Sequence, residues 1–101
     1  MKPVNIHLSI RRWHDKVYGN SYFAARIYAD GLEIARIPLQ YGYGSQPVAV
    51  ALVAARQAGI AFGDTGACYL NSACADAGIR YTEDDAKATK REALNHGKNG
   101  D

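Results

Sequence analysis

The segment that most constrains the fold of this chain is QYGYGSQP, Gln40 to Pro47, where an alternating strand pattern runs through two Tyr-Gly pairs into the apolar stretch Val48 to Ala55. Gly42 and Gly44 break the strand, Ser45 or Gln46 can cap a helix, and Pro47 suits its first turn. A helix is therefore predicted over about Pro47 to Ala58, with Gly59 as its stop. No polar face interrupts it before Arg56 and Gln57, so it must be covered nearly all round, lying across a sheet. Free amides at such a helix start attract anions. This corner, however, lacks the lysine and spacing of a P-loop and the pattern of a dinucleotide fingerprint, which leaves its glycines a structural role.

Upstream, Val4, Ile6, Leu8 and Ile10 alternate with polar residues, the period of a strand with one buried face. Arg11 to Asn20 loses that alternation and reads as a frayed strand end and a loop. A second strand is predicted from about Tyr22 to Ala29. Asp30-Gly31 supplies a turn, and a third strand follows over about Leu32 to Tyr41, completing a hairpin. A two-residue turn and a three-residue turn with a bulge differ in the faces they give Glu33 and Arg36. Pro38 cannot donate to a ladder, so its amide position must face solvent or sit in a bulge.

Downstream, Gly66 to Ala77 reads as a second helix, closed by Gly78 with Ile79 placed for a Schellman contact. Thr82 with Asp85 three residues on, an acidic run Glu83 to Asp85, and Lys90 and Arg91 further along predict a third helix over about Glu83 to Asn95. The expected fold is α+β: a three-stranded antiparallel sheet (β-β-β) packed by a buried apolar helix and followed by two further helices, in one domain over 1–95, with a disordered tail over 96–101.

At 101 residues the chain has the length of one domain, long enough to bury roughly two-thirds of its unfolded surface. Seventeen alanines thin the core and imply close backbone packing. Residues 1 to 60 carry seven Lys/Arg against three Asp/Glu, whereas residues 61 to 101 carry five against seven. That mild front-half bias is far from the concentrated charge with which phosphate contacts dominate nucleic-acid affinity. Met1 to Ile10 alternates as a strand rather than forming a signal peptide, and no apolar run approaches about 20 residues. The chain therefore reads as cytoplasmic, with no membrane partner. Cys68 and Cys74 are expected to be reduced and partly buried.

No motif predicts a reaction site, a metal or a cofactor. His14-Asp15 is the one His-carboxylate neighbour pair and has no nucleophile at a diagnostic spacing. Cys68, Cys74 and His96 lack paired zinc spacing, and Glu83 to Asp85 lacks the alternation of a calcium loop. What stands out is aromatic: Tyr18, Tyr22, Tyr28, Tyr41 and Tyr43 fall in or beside the hairpin, with Trp13 and with Arg11, Arg12, Arg26 and Arg36. Aromatic and Arg residues dominate binding hot spots, because they bring large contact area and keep polar ends usable. All of these but Arg12, nine residues, are the candidate partner-binding set. The competing use of the tyrosines is to fill a core short of volume.

Through YGNSYF (Tyr18 to Phe23), IYADG (Ile27 to Gly31) and QYGYGSQ (Gln40 to Gln46), the chain resembles small proteins encoded by bacteriophages. The resemblance covers the hairpin and its flanks. It implies a viral origin, a host-cell setting and no carried-over activity. Proteins of this kind often inhibit host machinery, anti-CRISPR proteins among them, so the expected partner is a host or defence protein. A nucleic-acid-binding module with a basic, aromatic sheet face is the less favoured reading. A self-associating virion component, as a homodimer, is a third.

Overall fold

The computed structural model describes residues 2–98. Its elements are β1 (Asn5–Asp15), β2 (Asn20–Ala29), β3 (Leu32–Tyr41), α1 (Gln46–Gln57), α2 (Leu70–Ala77), β4 (Arg80–Lys87) and α3 (Lys90–Gly97). They form an α+β fold on one mixed four-stranded sheet in the order β3-β2-β1-β4, with β4 parallel to β1 and the other pairs antiparallel.

Several expectations are corrected, the three-stranded all-antiparallel sheet among them. The first strand does not stop at Ile10, because Arg11 to Asp15 continue it, paired residue for residue with Asn20 to Ala24 of β2. The acidic run Glu83 to Asp85 is not a helix start but the middle of a strand. Beside β1, Asp84 and Asp85 find Arg11 and Arg12, and these ion pairs outweigh the local helix signal. The third helix begins seven residues later than expected, at Lys90, behind a different capping box in which Thr89 and Glu92 exchange side-chain and backbone hydrogen bonds. It takes in His96 and Gly97, the first two residues of the expected tail; residues 99–101 lie outside the described range.

The hairpin β2–β3 settles the register question. Ala29 pairs with Leu32 across a two-residue turn in which Asp30 and Gly31 both have positive φ. An extra residue of β3 at Ile34, and another between Ile37 and Gln40, shift the register. The first lets Glu33 and Arg36 meet on one face, Arg36 Nε donating to Glu33 Oε2 at 2.7 Å. The second absorbs Pro38 as foreseen.

The sheet has two unlike faces. On one, Ile6, Leu8 and Ile10 of β1 and Phe23, Ala25 and Ile27 of β2, all wholly buried, pack with Ile37 against α1 and α2. α1 buries Pro47, Ala51, Leu52 and Ala55 but leaves Val53 exposed, so it is covered on its sheet side and by α2 rather than all round. α2 ends as its sequence suggests, with Gly78 left-handed and the Ile79 amide donating to Cys74 O at 2.8 Å. Cys74 lies in this core, and burial pushes its thiol up to about 11; Cys68 is exposed, and both are free. Tyr81 also turns to this face, donating to Glu83 Oε1 at 2.6 Å, with its hydroxyl pKa pushed up by burial and then by Glu83.

The opposite face carries α3. Gly97 lies so close to the sheet that a Cβ there would stand 2.5 Å from Ile37 O and 2.9 Å from Ala24 Cβ. Arginines complete the attachment. Arg26 Nε donates to His96 O at 2.8 Å and Nη2 to Asn95 O at 3.4 Å, while Arg36 donates to Lys98 O. Positive charge at a helix C-terminus opposes the partial negative charge of its free carbonyls.

Candidate aromatic binding cleft

Strand register brings four of the predicted aromatics together. Trp13 pairs with Tyr22 and Tyr22 with Tyr41, so neighbouring strands present their rings side by side on the α3 face. Trp13 stacks on Tyr22 (centroids 5.1 Å, planes at 26°). Tyr22 meets Tyr41 edge-on at 6.0 Å, and Tyr41 meets Tyr43 edge-on at 6.2 Å. Such offset and T-shaped pairs are worth about 0.5–1.5 kcal/mol each beyond their area. The ladder is therefore ordered by its own contacts, yet Tyr41 is 55% and Tyr43 64% exposed. Neither turns inward to supplement the core.

The corner after β3 holds the last rung. A Cβ on Gly42 would fall 2.6 Å from Phe23 Cε1, so a side chain there would displace the core ring, and the corner needs glycine to run this close. Arg12 fixes the corner from below. Its guanidinium clasps Asp85 of β4 (Nε to Oδ1 2.8 Å, Nη2 to Oδ2 2.8 Å) and donates to Gly44 O at 2.9 Å. The hydrogen bond to Asp85 also raises the Arg12 pKa, outweighing partial burial.

These elements border an open cleft of about 970 Å³ whose lining includes Trp13, Tyr22, Tyr43 and the corner glycines together with Asp15, Lys16, Val17 and Lys87 to Thr89. Lys90, next in the chain, holds its Nζ 5.4 Å over the Trp13 ring, within cation–π range. At the β1–β2 hairpin tip, Val17 and Tyr18 project with 82% and 78% of their surface exposed, on a turn braced by Asp15 Oδ1 accepting from the Val17 amide at 2.9 Å.

The remaining predicted residues lie elsewhere. Arg11 is bound to Asp84, Arg26 and Arg36 anchor α3, and Tyr28 sits beside His7 (ring centroids 6.2 Å). The three arginines are thus structural ties in this chain. Arg12, Lys16, Lys87 and Lys90 were not among the predicted set. Lys87 and Lys90 come to the aromatic rungs only because β4 is a strand beside β1, a pairing that local sequence does not announce.

A second polar constellation joins β1 to β4. Thr82 Oγ1 lies 2.7 Å from His7 Nδ1, and Asp84 Oδ2 accepts from His7 Nε2 at 2.6 Å. Asp84 Oδ1 accepts from Ser9 Oγ at 2.8 Å and from Arg11. Burial alone would raise the Asp84 carboxyl pKa, but hydrogen bonds from Arg11, His7 and Ser9 prevail and hold it down to about 2. Hydroxyl, imidazole and carboxylate stand in the order of a nucleophile relay. The carboxylate is shared with Arg11, and Thr82, His7 and Asp84 line neither the aromatic cleft nor the smaller one beside Arg11 and His96, so the arrangement serves as a tie between strands. Among the described residues, no three His, Cys, Asp or Glu side chains converge on a metal position, and no helix is long and apolar enough to cross a membrane.

The chain matches no family model, no curated protein and no solved structure. The cleft is therefore interpreted from its own chemistry.

Proposed function

We propose that this chain is a non-enzymatic interaction protein that occupies the surface of another protein with the aromatic end of its sheet. The observation that carries this reading is the ladder Trp13-Tyr22-Tyr41-Tyr43, pre-ordered by ring contacts and half open to solvent beside a cleft. Rigid tyrosines lose little entropy when a partner immobilises them, and clustered aromatics of this kind form the energetic centres of interfaces. The resemblance to small phage-encoded proteins points to a host or defence protein as the partner, met in the host cytoplasm.

The test replaces Tyr41 and Tyr43 together with serine, sparing the arginines because they hold the fold. Affinity capture from host lysate, followed by mass spectrometry, should retain one stoichiometric protein that survives nuclease treatment and is lost with the double variant. Capture that survives the double variant, or that vanishes with nuclease, refutes the reading.

A further inference from the structure

The cleft beside the ladder is chemically lopsided, and we infer that it takes an acidic, extended peptide segment which lays an apolar side chain against Tyr22 and Tyr43 and sets its carboxylates against Lys16, Lys87 and Lys90. This inference rests on the cleft being a protein-binding surface and specifies the partner's chemistry. Lys16 and Lys87 line the cleft, and Lys90 stands over Trp13. No carboxylate among the described residues forms an ion pair with any of the three. Of the local acids, Asp85 is clasped by Arg12 and Glu92 closes its capping box with Thr89, while Asp15, which also lines the cleft, turns Oδ1 to the Val17 amide and leaves the two lining lysines and Lys90 in excess. An apolar floor rimmed by ammonium groups without a carboxylate partner attracts a ligand of opposite charge with an apolar anchor.

Two other occupants fit less well. A second copy of the chain offers the acidic strand Glu83 to Asp85, but those carboxylates already serve Tyr81, His7, Ser9, Arg11 and Arg12. A single-stranded nucleic acid needs open ring faces on which bases stack. The largest ring, Trp13, is already engaged by Tyr22 and Lys90, and the whole chain carries a formal charge of only +2.

Fluorescence anisotropy with three labelled peptides and one oligonucleotide separates these occupants. The peptides share a central Phe and differ in flanks of alternating Glu, Gln or Lys; the oligonucleotide is oligo(dT). The Glu peptide should bind, weaken with added salt, weaken about tenfold when Lys16, Lys87 and Lys90 are all changed to Gln, and fail on Tyr43→Ala. The Gln and Lys peptides should bind at least tenfold more weakly. Circular dichroism melts verify that each variant is folded, and the single variant Lys16→Gln, in an exposed turn, serves if the triple variant is not. Equal binding of the three peptides, no binding of the Glu peptide, binding insensitive to the lysines, or tighter binding of oligo(dT) overturns the inference. Lysate capture that depends on Tyr41 and Tyr43 but ignores the lysines would sink this inference while leaving the proposed function standing.

Discussion

The two faces of the sheet are closed by different physics. Under α1 and α2, wholly buried Ile, Leu and Phe side chains interdigitate with alanines, and cohesion is spread over many weak contacts. Under α3 the apolar contribution is small, chiefly Ala93 and the close approach at Gly97, and directional bonds do most of the joining: two arginines on helix carbonyls, and His96 Nε2 donating to Ser9 O at 2.9 Å. A face closed by area tolerates small errors and changes little with pH. One closed by a few polar bonds has specific points of failure, and the aromatic cleft stands at its edge, where Lys90 of α3 meets Trp13 of β1.

The contrast can be broken most heavily from the apolar side. Phe23→Ala, at a wholly buried ring, should cost about 3–5 kcal/mol in urea unfolding and weaken the whole domain as one unit. A loss well below this would mean that the core face is not the main store of stability. On the other side, Gly97→Leu forces a side chain into the Ile37 carbonyl. We expect a loss of about 1–3 kcal/mol, accompanied by a change in Trp13 fluorescence as Lys90 withdraws, with the rest of the domain still folded. If Trp13 emission stays the same, α3 is not what positions the cleft's basic rim.

Smaller effects sharpen the comparison through pH. Asp84 is held ionised in the folded chain, so its contribution is present above the ordinary carboxylate value and is lost as pH falls through that value toward about 2. Asp84→Asn should flatten this acid limb and cost about 1 kcal/mol near neutrality, a modest figure because the side chain is half exposed. Denaturation midpoints measured from pH 5 downward test it; an unchanged acid limb in the variant would remove the tie its importance. His96 works in the same direction for a different reason: burial, then the charges of Arg26 and Arg11, lower its pKa, outweighing its bond to Ser9. The folded chain favours the neutral ring, so α3 docking should weaken as pH drops below the ordinary histidine value. Amide exchange in Lys90–Gly97, followed between neutral pH and pH 5, should speed up relative to β1, and should do so less in His96→Gln.

What local sequence could and could not convey follows the same division. The hairpin, its Asp30-Gly31 turn, the bulge at Pro38, the corner into α1 and the cap after α2 rest on turn chemistry and periodicity, which act over a few residues. β4 was missed because its stability is borrowed. Of RYTEDDAK only Tyr81 buries an apolar ring, and the acids that resemble a helix start are neutralised by Arg11 and Arg12 some seventy residues away. The extension of β1 through Arg11 to Asp15 was hidden likewise, since its side chains face helix, cleft and partner strand rather than a uniform core. For the cleft, the aromatic rungs were legible and the lysine rim was not, because the rim depends on where β4 lies.

The position of β1 has a further consequence for how the molecule is made. β1 is an inner strand of the sheet, and its second neighbour, β4, is synthesised long after it: His7 waits for partners 75 and 77 residues later. Until β4 arrives, a growing chain presents one bare side of β1, an unpaired row of backbone groups open to misplaced strands. Every chain cut short before Arg80 keeps that flaw, so premature termination should yield aggregation rather than a smaller working domain.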